Sequence, residues 1–122
     1  MKVPCDDDSV LFLWGTSPLL PEAFQVMNAW GFDYQTCAVW DKVLIGMGFW
    51  VRGQHELLLI GTRGYFPPPP EERSVSSVYS EKRTKHSKKP AYFRNLIASW
   101  YPKETKVEMF AREKFLGWDV WG

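Results

Sequence analysis

The sequence has few of the residues that staple or metallate small proteins. It holds two cysteines, Cys5 and Cys37, and two histidines, His55 and His86. Neither pair has the close spacing of a zinc site, and cysteines so far apart make no disulfide framework. Both are expected to be ordinary thiols in a reducing, intracellular (cytoplasmic) setting. There is no run of the roughly eighteen apolar residues that a membrane span requires, and residues Met1 to Ser9 are acidic where a signal leader is basic. A soluble chain with no membrane partner is the expectation. No excess of one charge exists either: the net charge is +1 with 24% charged residues, so nucleic acid can be met only through a local basic patch. No P-loop, nucleophile triad or zinc motif is present.

A chain of 122 residues predicts a single domain, residues 1–122, that buries roughly two-thirds of its unfolded surface. Its aromatic content is 16%, with seven tryptophans. These read first as a core of large residues and second as a platform for stacking a base.

The carboxyl-terminal stretch organises the reading. Val107, Met109 and Ala111 alternate with Glu108, Phe110 and Arg112, as in a strand. Arg112 and Phe110 would then stand near its carboxyl end, the edge where open α/β sheets bind ligands. Gly117 allows a turn, and Trp118, Val120 and Trp121 suggest a second short strand that stops at Gly122, so a truncated chain is expected.

Earlier in the sequence, Asp6 to Asp8 read as a solvated turn rather than a metal site. Val10 to Trp14 is continuously apolar, the pattern of a strand covered on both faces. Ser17 and Pro18 fit a helix N-cap and first position, with Leu19, Leu20, Ala23, Phe24, Met27 and Trp30 at helical spacing until Gly31. Phe32 to Trp40 predicts the next strand, Asp41 to Gly48 a loop and His55 to Gly61 a third strand. Adjacent side chains on a strand point apart, so His55 and Glu56 are read as structural rather than as an acid/base or metal pair. Pro67 to Pro70 is a stiff polyproline spacer or loop. Val75 to Tyr79 suggests a short edge strand.

A basic stretch follows, with Lys82, Arg83, Lys85, His86, Lys88 and Lys89, and then a helix from Pro90 to Trp100. Charge runs are usually solvated faces, but cations beside a helix N-terminus can hold a phosphate or carboxylate. Arg83, Lys85, Lys88 and Lys89 are the candidate nucleic-acid contacts. The order β, α, β, loop, β, basic loop, α, β, β predicts an α/β layered sheet with ligand groups at strand ends.

Several separated motifs, in order, carry a family resemblance. They are Leu-Phe-Leu-Trp-Gly-Thr-Ser-Pro at positions 11 to 18, Ala-Trp-Gly-Phe at 29 to 32, Ala-Val-Trp at 38 to 40 with Lys42, and the run from Gly48 through Gly53-Gln54-His55-Glu56 to Gly64. His86-Ser87-Lys88-Lys89-Pro90, Val107 to Arg112 and Gly117 to Gly122 complete the set. Together they resemble the adenine-N6 methyltransferases of the MT-A type, closer to the phage and bacterial DNA branch than to the eukaryotic mRNA enzyme.

The resemblance implies a Rossmann-like S-adenosylmethionine-dependent methyltransferase core with permuted motif order and a mixed, mostly parallel sheet. It implies S-adenosyl-L-methionine as cofactor and DNA or RNA as partner. Phe110 and Arg112 match family positions that contact the cofactor, with Glu108 on the same strand. Gln54 matches a position close to it, and His86 and Ser87, with Lys89, match the loop before the cofactor-side helix.

The family's Asp-Pro-Pro-Trp catalytic motif does not occur in this sequence, nor does the cofactor-binding Asn beyond the Trp-Gly turn. The Asp41 to Gly48 loop is also shorter than usual. The expectation is therefore a core lacking its catalytic strand: a truncated or degenerate adenine-N6 methyltransferase with no catalytic residue of its own. The alternatives are a non-catalytic nucleic-acid-binding or scaffolding partner of a homologous subunit, and a domain that binds the cofactor without transfer.

Overall fold

The computed structural model describes residues 9–48, 50–65, 67–84 and 89–100, and residues 106–110 as a strand. The expected Asp6 to Asp8 turn, Cys5 and the expected Trp118 to Trp121 strand lie outside the described residues, as do Lys85, His86, Ser87, Lys88 and Arg112. The elements are β1 (Ser9–Gly15), α1 (Leu20–Ala29), β2 (Asp33–Asp41), β3 (His55–Arg63), β4 (Val78–Ser80), α2 (Ala91–Trp100) and β5 (Lys106–Phe110), with short 3-10 turns at Ser17–Leu19 and Glu71–Arg73.

The strands form one five-stranded sheet in the order β4-β2-β3-β1-β5. β1 pairs in parallel with β5 and β2 with β4, while β3 runs antiparallel to both β1 and β2. Of the five strands among the described residues, four therefore share one direction and β3 alone opposes them. The β1–α1–β2 unit is a parallel crossover that leaves a gap one strand wide, and β3 fills it from the opposite direction.

All seven residues of β1 are buried, because this strand has neighbours on both sides and helices on both faces. Leu11 and Leu13 pack with Ala23 and Met27 of α1, and with Phe32 and Leu59. Val10, Phe12 and Trp14 pack on the other face with Phe93 and Ile97 of α2, and with Trp40 and Leu58. The period-two alternation of β1 thus separates two cores, giving an α/β/α sandwich.

Helix α1 ends as its glycine predicts. Gly31 has φ +80, its N–H donates to Asn28 O and that of Phe32 to Met27 O, both at 3.0 Å. This is a Schellman closure in which the following apolar residue, Phe32, turns into the core. Arg63 fastens the same end, donating to Trp30 O at 3.2 Å with its guanidinium 5.0 Å from the Phe32 ring. The start differs from expectation. Ser17 and Pro18 form the 3-10 turn, with no side-chain cap, and α1 proper begins at Leu20 with Pro21 in its first turn. Pro18 and Pro21 have no N–H, so two of the donors that a cap would satisfy do not exist.

β4 begins at Val78 rather than Val75. The Val39 N–H still donates to Ser77 O at 2.6 Å, and the Val78 N–H is taken by Ser76 Oγ at 3.2 Å, a local turn at the start of the strand. The segment after Pro67 to Pro70 is fastened to the far end of α2. Trp100 Nε1 donates to Arg73 O, and Arg73 Nη1 donates to Ser99 O, both at 3.0 Å.

Gly61 lies where Met27 of α1 packs tightly on the sheet. A Cβ there would lie 2.9 Å from Met27 Sδ and 3.1 Å from Asp33 O. Met27 is itself buried and has no solvent to swing into. Gly61→Ala is expected to destabilise the chain by about 1–3 kcal/mol through overpacking. A urea-denaturation midpoint shows this directly, and an unchanged midpoint would mean that α1 shifts freely on the sheet.

No helix among the described residues is long and apolar enough to cross a membrane, and no group of three or more His, Cys, Asp or Glu side chains among them is placed to hold a metal ion.

Candidate functional site

Because four strands run in one direction, β1, β2, β4 and β5 all finish at one edge of the sheet, and β3 starts there. The register makes this concrete. Trp14 stands opposite Leu58 on one side and Phe110 on the other, Trp40 opposite Glu56, and Asp41 opposite His55 and Ser80. Lys89, just before α2, arrives at the same edge by pairing with Glu56. A sheet built this way gathers the ends of distant segments in one place, where α/β proteins hold ligands.

Glu56 is the centre of that edge. Its Oε2 lies 2.6 Å from Lys42 Nζ and its Oε1 2.5 Å from Lys89 Nζ, with the three side chains only 8%, 20% and 10% exposed respectively. Indole rings wall the cluster. Lys89 Nζ sits 5.4 Å from the Trp14 ring centroid and 6.0 Å from that of Trp40, and Lys42 Nζ lies 5.4 Å from Trp40. Trp14 and Trp40 meet edge to face at 6.3 Å. Burial alone pushes the Glu56 carboxyl up, but hydrogen bonds from Lys42 and Lys89 and their charges outweigh it and hold the group below the usual carboxylate range. One carboxylate and two ammonium groups leave a local charge of +1 at this edge, which suits an anionic or polar ligand.

Beside it, Asp41 closes the base of the β2–β3 connection. Its Oδ1 accepts from the Val43 N–H at 2.9 Å and from Gln54 Nε2 at 3.1 Å, and its Oδ2 accepts from Ser80 Oγ at 2.9 Å. The Val43 N–H, then Gln54 and Ser80, hold the Asp41 carboxyl below its ordinary value. The Lys42 N–H donates to Gln54 O at 2.8 Å. These bonds align Lys42 and Gln54 next to Glu56.

Of the residues expected at a site, Gln54 is half-buried at this edge with its amide on Asp41. Glu108 and Phe110 occupy β5 positions in register with Phe12 and Trp14, so the backbone of β5 reaches the same edge. Arg83 is exposed, and a Cβ on Gly46 would lie 3.3 Å from its Nη1. Lys89 points inward onto Glu56 rather than out into solvent. The structure does not place Arg112, His86, Ser87, Lys85 or Lys88, which lie outside the described residues.

Strand alternation put His55 and Glu56 on opposite faces, and they are so arranged, exposed and buried respectively. Sequence reasoning did not single out Glu56, Lys42, Trp14 and Trp40 as one constellation. The available signal was an acidic residue opening an otherwise apolar run, Glu56-Leu57-Leu58-Leu59-Ile60, because a carboxylate at a buried strand position needs a cationic partner.

Comparison with known proteins agrees with the resemblance carried by the motifs. A type II methyltransferase, M.MunI, from Mycoplasma sp is 38% identical over 117 residues, which is 95% of this chain and 50% of that relative. The chain thus spans about half the length of the curated relative it matches. The MT-A70 family pattern matches residues 1–122, and the chain belongs to the MT-A70 family.

Proposed function

We propose that these residues form the cofactor-side part of an S-adenosylmethionine-dependent adenine-N6 methyltransferase acting on DNA or RNA. The observation that carries this reading is the convergence of the ends of β1, β2, β4 and β5 on the Lys42–Glu56–Lys89 cluster, in a chain of the MT-A70 family. In this reading the sheet is the permuted Rossmann-like core. The Asp-Pro-Pro-Trp strand comes from outside residues 1–122, since the tetrapeptide does not occur in this sequence.

The donor set fits a zwitterionic nucleoside cofactor: charged groups of both signs and the Gln54 amide stand beside indole rings at the strand ends. Phe110, Arg112, Glu108, Gln54, His86 and Ser87 would hold S-adenosyl-L-methionine, which supplies an electrophilic methyl group. Arg112 would give forked hydrogen bonds to ribose or carboxylate oxygens. Lys42 and Lys89 keep Glu56 ionised, so it acts as a fixed hydrogen-bond acceptor that orients bound groups, while Trp14 and Trp40 exclude water from the bottom of the site. Arg83, Lys85 and Lys88 would meet phosphates. The second reading is a non-catalytic partner that keeps the fold to bind nucleic acid or to support an active homologue. It is favoured only by the missing tetrapeptide.

Calorimetric titration of the 122-residue chain with S-adenosylmethionine, alongside circular dichroism, tests the proposal. Binding is expected, and Arg112→Ala should weaken it by about ten- to a hundredfold, the loss of a charge-assisted hydrogen bond. Equal affinity in wild type and variant would remove Arg112 from the site. A folded chain that does not bind would favour the partner reading.

A further inference from the structure

The connection between β2 and β3 gives the site Lys42 and Gln54 at its two ends, and between them it is the most apolar exposed segment among the described residues. Val43, Leu44, Ile45, Met47, Trp50 and Val51 are all exposed, Met47 by 92% and Trp50 by 91%. Contiguous exposed side chains of this size mark an interaction surface. The segment is also built to hold its shape. The Gly46 N–H donates to Gly53 O at 2.7 Å, the Gly53 N–H to Met47 O at 3.1 Å, and Arg52 Nη1 to Gly48 O at 2.9 Å. Gly48 cannot carry a side chain, since a Cβ there would fall 2.2 Å from Val51 O. Val43 and Trp50 have φ of 68 and 72, a left-handed conformation that β-branched and bulky residues avoid, and such strain collects at functional segments.

Two further facts identify the occupant. From Lys42 to Gln54 there is no acidic residue, Arg52 lies within the segment, and Arg83 lies against Gly46. An apolar tip flanked by guanidinium groups suits a stack of bases between phosphates better than a protein surface. The neck of the segment is the Asp41–Gln54 hydrogen bond, beside Glu56, so the tip projects from the same edge as the site.

Resting on the adenine-N6 reading above, we propose that this loop is a wedge for double-stranded nucleic acid. Met47 and Trp50 enter the base stack and fill the space left by the extruded adenine, with Arg52 and Arg83 on the flanking phosphates. Enzymes that modify a base must take it out of the duplex, and apolar side chains inserted between base steps hold such openings. A single strand leaves no vacated space to fill, so the wedge specifies a duplex substrate.

The test uses the 122-residue chain and a short duplex with one 2-aminopurine in a mismatch, where opening is least costly. The wild-type chain is expected to raise 2-aminopurine fluorescence several-fold. A Met47→Ala/Trp50→Ala variant should abolish most of that rise while keeping its circular dichroism spectrum, and Met47→Leu/Trp50→Phe should restore it. The same rise in wild type and the alanine variant would overturn the wedge, as would no rise with the wild type. A variant that changed only self-association in sedimentation, with fluorescence untouched, would overturn it in favour of a protein-docking loop. Parallel titration with S-adenosylmethionine separates the two proposals. Cofactor binding without a Met47- and Trp50-dependent rise defeats the wedge alone, and the dependent rise without cofactor binding defeats the transferase reading alone.

Discussion

Glu56→Ala is expected to destabilise the chain by about 3–5 kcal/mol, the usual effect of removing one partner from a buried ion pair. The substitution would leave the ammonium groups of Lys42 and Lys89, 20% and 10% exposed, facing each other without the carboxylate that now separates them. Against a typical net stability of about 5–15 kcal/mol, that loss threatens the fold. Urea denaturation at neutral pH followed by circular dichroism measures it. The triple change Lys42→Met/Glu56→Leu/Lys89→Met should restore most of the stability, because well-packed apolar side chains replace buried ion pairs at little or no cost. It should still abolish ligand binding if the cluster serves the site.

Acid gives a second view of the same residue. The folded-state pKa of Glu56 is lowered, so its stabilisation is fully present above the unfolded value, about 4.3. It is lost as pH falls through the lower folded value. Wild-type stability should therefore drop more steeply on acidification below about pH 4 than that of Glu56→Gln. Parallel acid curves would show that Lys42 and Lys89 do not hold the carboxylate in solution.

Trp14→Ala is expected to cost about 3–5 kcal/mol, the range for deleting a large aromatic side chain from a core. Trp14 is buried at the end of β1. It meets Phe93 edge to face at 5.2 Å and Trp40 at 6.3 Å, and it lies beneath Lys89. Its removal opens a cavity where the α2 core joins the charged cluster, so the near-ultraviolet circular dichroism signal should change together with the urea midpoint. Because Trp14 and Glu56 both touch Lys89, the double variant should lose less than the two single losses added together. Strict additivity would mean that the aromatic wall and the ion cluster are energetically separate.

The wall and the cluster also show how far local signals reach. The unbroken apolar run of β1, the helical spacing that Gly31 stops, the strand that begins at His55 and the helix after Pro90 are all encoded within a few residues, and the structure has each of them. The position of β3 between β1 and β2 was not encoded so closely. Strand alternation says which face a residue takes but not which strand lies beside it.

By itself the sequence determined the type and order of the described elements, though not where α1 and β4 begin, together with the two-faced burial of β1, the family, and that no Asp-Pro-Pro-Trp tetrapeptide is present. These depend on residue type and on spacing between near neighbours, which a linear reading contains. Only the tertiary structure decided that Lys42 and Lys89 meet on Glu56, that Lys89 turns inward, and that Met47 and Trp50 stand out from the site's edge on a strained loop. Each of these depends on segments far apart in the chain being brought together by one sheet, and the free energy of a buried charge or an exposed ring is set by those distant neighbours.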